Sequence, residues 1–118
     1  MGTHAVLGVS FDDGSIIGCY IHYDGATMRG RIADFIEKQT TTALVVLIAR
    51  AQTSGGMRSF HTPRNEGELE NLDVYETDFL DDDEPYIIDE KNWDGHHFGA
   101  HYMYKVCYKS GDISGYRR

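Results

Sequence analysis

Two stretches of β-branched and aromatic residues near the start of the chain constrain the fold most. Residues 4–11 (His-Ala-Val-Leu-Gly-Val-Ser-Phe) and 15–23 (Ser-Ile-Ile-Gly-Cys-Tyr-Ile-His-Tyr) read as strands around the turn signal Asp12-Asp13-Gly14. They predict an antiparallel hairpin. On its second strand Ile17, Cys19, Ile21 and Tyr23 alternate with Ile16, Tyr20 and His22. Neither set is clearly polar, so both sheet faces are expected to be at least partly covered. Residues 100–109 form the clearest strand, with Tyr102, Tyr104, Val106 and Tyr108 on one face, and 113–116 can return beside it.

The middle of the chain reads as helix. Met28, Ile32, Phe35 and Ile36 recur at helical spacing within 26–38, with Asp24 or Thr27 as cap. Gly25 would supply a positive φ at the strand-to-helix corner. A second helix is expected over 42–52, capped by one of Thr40, Thr41 and Thr42 and ended by Ser54-Gly55-Gly56. Short strands are expected at 57–62, 74–77 and 85–89. Together these elements predict one α+β domain spanning residues 1–118. Its sheet should be mainly antiparallel, built from the N-terminal hairpin and the C-terminal strands, with two helices packed on one face.

Charge divides the chain unevenly. Between Asn65 and Glu90 there are twelve acids and no Lys or Arg, whereas the rest holds seven acids and eleven bases. A body of +4 thus carries a segment of −12 at 65–90. Such a segment repels nucleic-acid phosphates and suits a basic protein surface. Leu69, Leu72, Val74, Tyr75, Phe79, Leu80, Tyr86, Ile87 and Ile88 punctuate it, more apolar residues than a solvating tail requires. The candidate partner-binding residues are Glu66, Glu68, Glu70, Asp73, Tyr75, Glu76, Asp78, Phe79, Asp81, Asp82, Asp83, Glu84 and Tyr86.

Candidate chemistry is sparse. Cys19 and Cys107 are far apart in sequence and outside any Cys-x-x-Cys pair, which suggests buried thiols. His96, His97 and His101 lack a helical His-Glu-x-x-His frame and are expected as surface loop histidines. Asp81-Asp82-Asp83-Glu84 lacks the spaced ligands of a calcium loop. No metal or cofactor is expected. Lys105 and Lys109 fall on the face opposite the tyrosines, which argues against a single-stranded nucleic-acid platform. No run is long and apolar enough for a membrane span.

The opening Met1-Gly2-Thr3, the turn Asp13-Gly14, the strand end Tyr20-Ile21-His22-Tyr23-Asp24-Gly25 and the following helix resemble a family of small uncharacterised bacteriophage proteins. The likeness extends to about Ile36. This chain has His4 for the family's Arg, Ala26-Thr27 for Tyr-Pro, and Gly30 about one residue early. The resemblance implies an accessory or host-takeover role in the cytoplasm of an infected bacterium.

Two functions are therefore expected. The first is an anti-defence inhibitor or redirector of a host protein, which docks through the acidic segment, with nucleic-acid mimicry as one form. The second is a small enzyme whose pocket of Tyr20, His22, Asp24 and Arg29 acts on an anionic or phosphorylated substrate. A homodimer through the C-terminal edge strand is a further expectation.

Overall fold

The computed structural model describes residues 3–23, 25–58, 60, 79–80 and 82–117. The expected strand at 74–77 lies outside the described residues. So do Asp24, the side chain of Thr27, and Glu66, Glu68, Glu70, Asp73, Tyr75, Glu76, Asp78 and Asp81.

Among the described residues five strands form one mixed sheet: β1 (Ala5–Ser10), β2 (Ile16–Ile21), β3 (Ile88–Asp89), β4 (Tyr102–Cys107) and β5 (Ile113–Arg117), in the order β3-β2-β1-β4-β5. β1 and β2 make the expected antiparallel hairpin, in register Ala5↔Ile21 through Ser10↔Ile16. The Asp12-Asp13-Gly14 turn is closed by Phe11 N–H donating to Ser15 O at 2.9 Å. β4 pairs with β5 antiparallel, but lies parallel to β1. The helices supply the long crossover that a parallel neighbour needs.

A short 3₁₀ turn at Gly25–Thr27 leads into α1 (Met28–Lys38), and α2 (Thr41–Thr53) follows. Met28, Ile32 and Phe35 are the fully buried stripe of α1. Of the three candidate caps, Thr40 is the one that caps α2. Its side chain accepts from Ala43 N–H at 2.9 Å, satisfying a free first-turn amide and starting a helix there. Both helices pack on one sheet face, over Ala5, Leu7, Val9, Cys19, Ile21, Tyr104 and Val106.

Gly25 acts differently from expectation. It is not among the left-handed glycines. It is small because the corner crosses β1 closely: a Cβ there would lie 2.6 Å from Thr3 O. Its own N–H donates to that oxygen at 2.8 Å, and its carbonyl accepts from the Tyr104 hydroxyl at 2.6 Å.

The opposite face is also covered, by the 86–100 region. Trp93, with Val6, Tyr20, Ile88, Ala100 and Met103, forms a second small core. Gly8 and Gly18 are cross-strand partners, and the Trp93 ring lies over both. Gln52 ties the layers together, its amide donating to Gly18 O at 2.7 Å and Ile88 O at 3.2 Å. Of the expected 57–62 strand, residues 57, 58 and 60 are described, and Met57 makes isolated bridges to Ile21 and Phe79. Cys19 is buried, and burial pushes its thiol pKa up. Cys107 is half-buried, and its thiol is held down by hydrogen bonding to Ser110. β1 stands between their strands, so the two thiols are not neighbours.

Candidate functional site

The Trp93-covered face ends in a cavity of about 380 Å³, lined by His4, Tyr20, His22, Gly55, Leu80, Asp82 and Phe98. The hairpin supplies one wall. Continuing the Ala5↔Ile21 register outward sets His4 opposite His22, and their rings stack with centroids 4.7 Å apart. The Tyr20 hydroxyl and His22 Nδ1 are hydrogen-bonded at 2.9 Å. Burial, then the neighbouring His4 charge, lowers the His22 pKa and favours a neutral imidazole. Burial, reinforced by Tyr86 and Tyr23, pushes the Tyr20 phenol pKa up to about 12. The pair thus meets the cavity uncharged near neutral pH.

The opposite wall is Phe98. Its ring is 63% exposed and packs 4.9 Å from Tyr20 and 5.1 Å from Tyr86. Phe98 has φ 51°, and no other described non-glycine residue has a positive φ. That backbone is costly for a bulky side chain. The turn is held by hydrogen bonds. His4 Nδ1–H donates to Phe98 O at 3.0 Å, since a carbonyl can only accept. His97 Nε2–H donates to Asn92 O at 2.7 Å, leaving Nδ1 to accept from the Tyr86 hydroxyl. His97 is therefore a buried structural tie, not the surface loop histidine expected.

Asp82 closes the rim. Its N–H donates to Ser54 O at 3.2 Å, and Gly55 must be small because a Cβ would lie 2.7 Å from Asp82 Cβ. Asp82, Asp83 and Glu84 are exposed. Among the described residues no Lys or Arg lines the cavity. Nor do those residues contain a group of three or more His, Cys, Asp or Glu able to hold a metal ion.

Of the four residues expected in an enzyme pocket, the structure brings Tyr20 and His22 together. Arg29 sits elsewhere, on the helix-covered face, where Nη2 donates to Ile113 O at 2.7 Å. There it lines a smaller cavity of about 210 Å³ with Tyr102, Tyr104 and Arg117. The physical reason is the helix direction: α1 leaves the corner toward β5, away from β2. Phe79, expected as a surface anchor, is 7% exposed and packs into the helix-side core, with Arg50 5.9 Å from its ring centroid. Tyr86 buttresses the Phe98 wall from behind.

His4 and Phe98 are the site residues that sequence reasoning missed. His4 could have been found by counting outward from the Asp13-Gly14 turn, because the hairpin register sets it opposite His22. Phe98 had no such signal. Among the described residues no helix is long and apolar enough to cross a membrane. No family model, curated protein or solved structure matches the chain.

Proposed function

We propose that the chain is a phage-type accessory protein that binds and inhibits or redirects a host protein with a basic surface. A host defence or nucleic-acid-processing protein suits an acidic face able to stand in for phosphate. One observation carries this reading: exposed Asp82 lines one cavity with Phe98, which is 63% accessible, and exposed Asp83, Glu84 and Ile87 follow Asp82 along the chain. Apolar anchors inside a charged surround are how binding faces combine affinity with steering. The phage-like opening points to a host protein as the target.

The enzyme reading is less well served. An anionic substrate needs a cation beside His22, and Arg29 lies across the sheet from it. Asp82 would repel such a substrate at the cavity rim.

The test is affinity capture from a bacterial lysate by two forms of the protein. One is wild type; the other carries Glu66→Lys, Glu68→Lys, Glu70→Lys, Asp83→Lys and Glu84→Lys. A partner retained by wild type at low salt should be lost by the reversed protein and weakened by added salt. Retention of every partner by the reversed protein would overturn the reading.

A further inference from the structure

We propose that the cavity between His4, Tyr20, His22 and Phe98 seats an arginine side chain of the basic partner, with Asp82 as the carboxylate that pairs with it. The proposal rests on the acidic docking face described above and assigns that face its central contact.

The cavity has the size and walls for this ligand. At about 380 Å³ it is within the range that holds small ligands, so a long side chain and its flanking backbone fit. Its walls are flat rings. Phe98 and Tyr20 present aromatic surface, and the stacked His4 and His22 rings continue it. A guanidinium is planar and weakly hydrated, so it stacks on such rings at lower desolvation cost than an ammonium.

Charge selects the same ligand. Among the described lining residues Asp82 is the carboxylate, and exposed Asp83 and Glu84 follow it in the chain. No described Lys or Arg lines the cavity to receive an anion. Phe98 adds an independent observation. A bulky residue is held at φ 51° with its ring mostly in water. Strain of this kind persists where a side chain must be placed for a contact. An occupant stacked on Phe98 would cover that ring.

Imidazole titration should oppose the ligand. His22 is faced by His4 from the start of β1, by Tyr20 and Tyr23 along its own strand, and by Asp82 and Phe98 across the cavity. Protonating His22 puts a positive charge beside the guanidinium. The lowered His22 pKa places its own loss of binding below its ordinary value of about 6.5.

The experiment titrates the full protein with fluorescein-labelled Gly-Gly-Arg-Gly-Gly. The same peptide is also made with citrulline, which keeps the shape without the charge, with lysine, and with phosphoserine. The arginine peptide should bind about tenfold more tightly than citrulline, the ratio expected for a charge-assisted hydrogen bond. Lysine should fall between them and phosphoserine should not bind. Asp82→Asn should remove most of the arginine–citrulline difference. Phe98→Asn keeps a residue type that tolerates the left-handed backbone, and should weaken both peptides while preserving their order. Acidification from pH 7.5 to 5.5 should weaken the arginine peptide.

Equal binding of arginine and citrulline, or preference for phosphoserine, would overturn the arginine seat. If the charge-reversed protein still lost its host partner, the acidic-face reading would stand without it. An arginine-selective cavity in a protein whose capture ignored charge reversal would instead overturn the acidic-face reading.

Discussion

Replacing Gly8 with valine should destabilise the fold by about 3–5 kcal/mol, the loss typical of deleting a large buried ring. A Cβ at Gly8 would lie 2.4 Å from Trp93 Cζ3 and 2.8 Å from Cη2. Neither atom can swing aside, because they belong to a rigid indole only 4% exposed and packed among Val6, Ile88 and Met103. Gly18, the cross-strand partner, brings the ring within 3.2 Å of its own Cβ position, so sliding sideways gives no relief. The substitution therefore evicts the ring. Trp93→Ala alone should cost a similar amount, and the double variant should cost clearly less than the two added together, since the second change removes a ring already displaced. Urea unfolding of the three variants measures this. Strict additivity would contradict the packing of Trp93 on the glycine pair.

Gly56→Ala should cost at least about 3 kcal/mol by the same measurement, through backbone and not side-chain packing. Gly56 has φ 130°, which L side chains rarely adopt, and its Cβ would lie 2.4 Å from Tyr20 O. That oxygen accepts from Met57 N–H at 2.7 Å, and Met57 O accepts from His22 N–H at 3.0 Å. Moving Gly56 away breaks this short extension of the sheet directly beneath the Tyr20–His22 pair. The binding cavity should be lost together with stability. Gly30→Ala is the opposite case. No heavy atom outside its own stretch of helix lies within 4 Å of that Cβ position in the first turn of α1, so alanine should add about 0.5–1 kcal/mol of stability. A Gly56→Ala protein as stable as wild type would contradict the close approach at β2.

Sheet and helices were readable in the sequence because they follow periodicity and capping. The alternation over 4–23 predicts the hairpin, and Met28, Ile32 and Phe35 predict the buried face of α1. The parallel pairing of β4 with β1 was not readable. It depends on which edge the returning chain meets after the helices, and alternation is the same for either edge. The covered second face was signalled by the alternating sets of β2, neither of them clearly polar, but not what covers it: Trp93 reaches Gly8 and Gly18 from a loop far along the chain.

The site was readable in part for the same reason. Tyr20 and His22 share a strand face, and His4 joins them by hairpin register. Arg29 was misplaced because sequence proximity to the corner says nothing about the direction α1 takes from it. Phe79 followed the opposite logic, an aromatic residue in an acidic run that turns inward because Met57 offers it a bridge and the core a place to pack. Phe98 lies in a loop whose geometry depends on the distant His4 as well as on the more local Tyr86–His97–Asn92 chain.

The most direct measurement of the binding-face claim is an NMR titration of isotope-labelled protein with the arginine peptide at pH 7.5. Shifts should be confined to the ring and backbone signals of His4, Tyr20, His22, Phe98 and Asp82, and reaching the same shifts should take about tenfold more of the citrulline peptide. Perturbation centred instead on the Arg29, Tyr102 and Arg117 cavity, or equal shifts with either peptide at one concentration, would contradict the account.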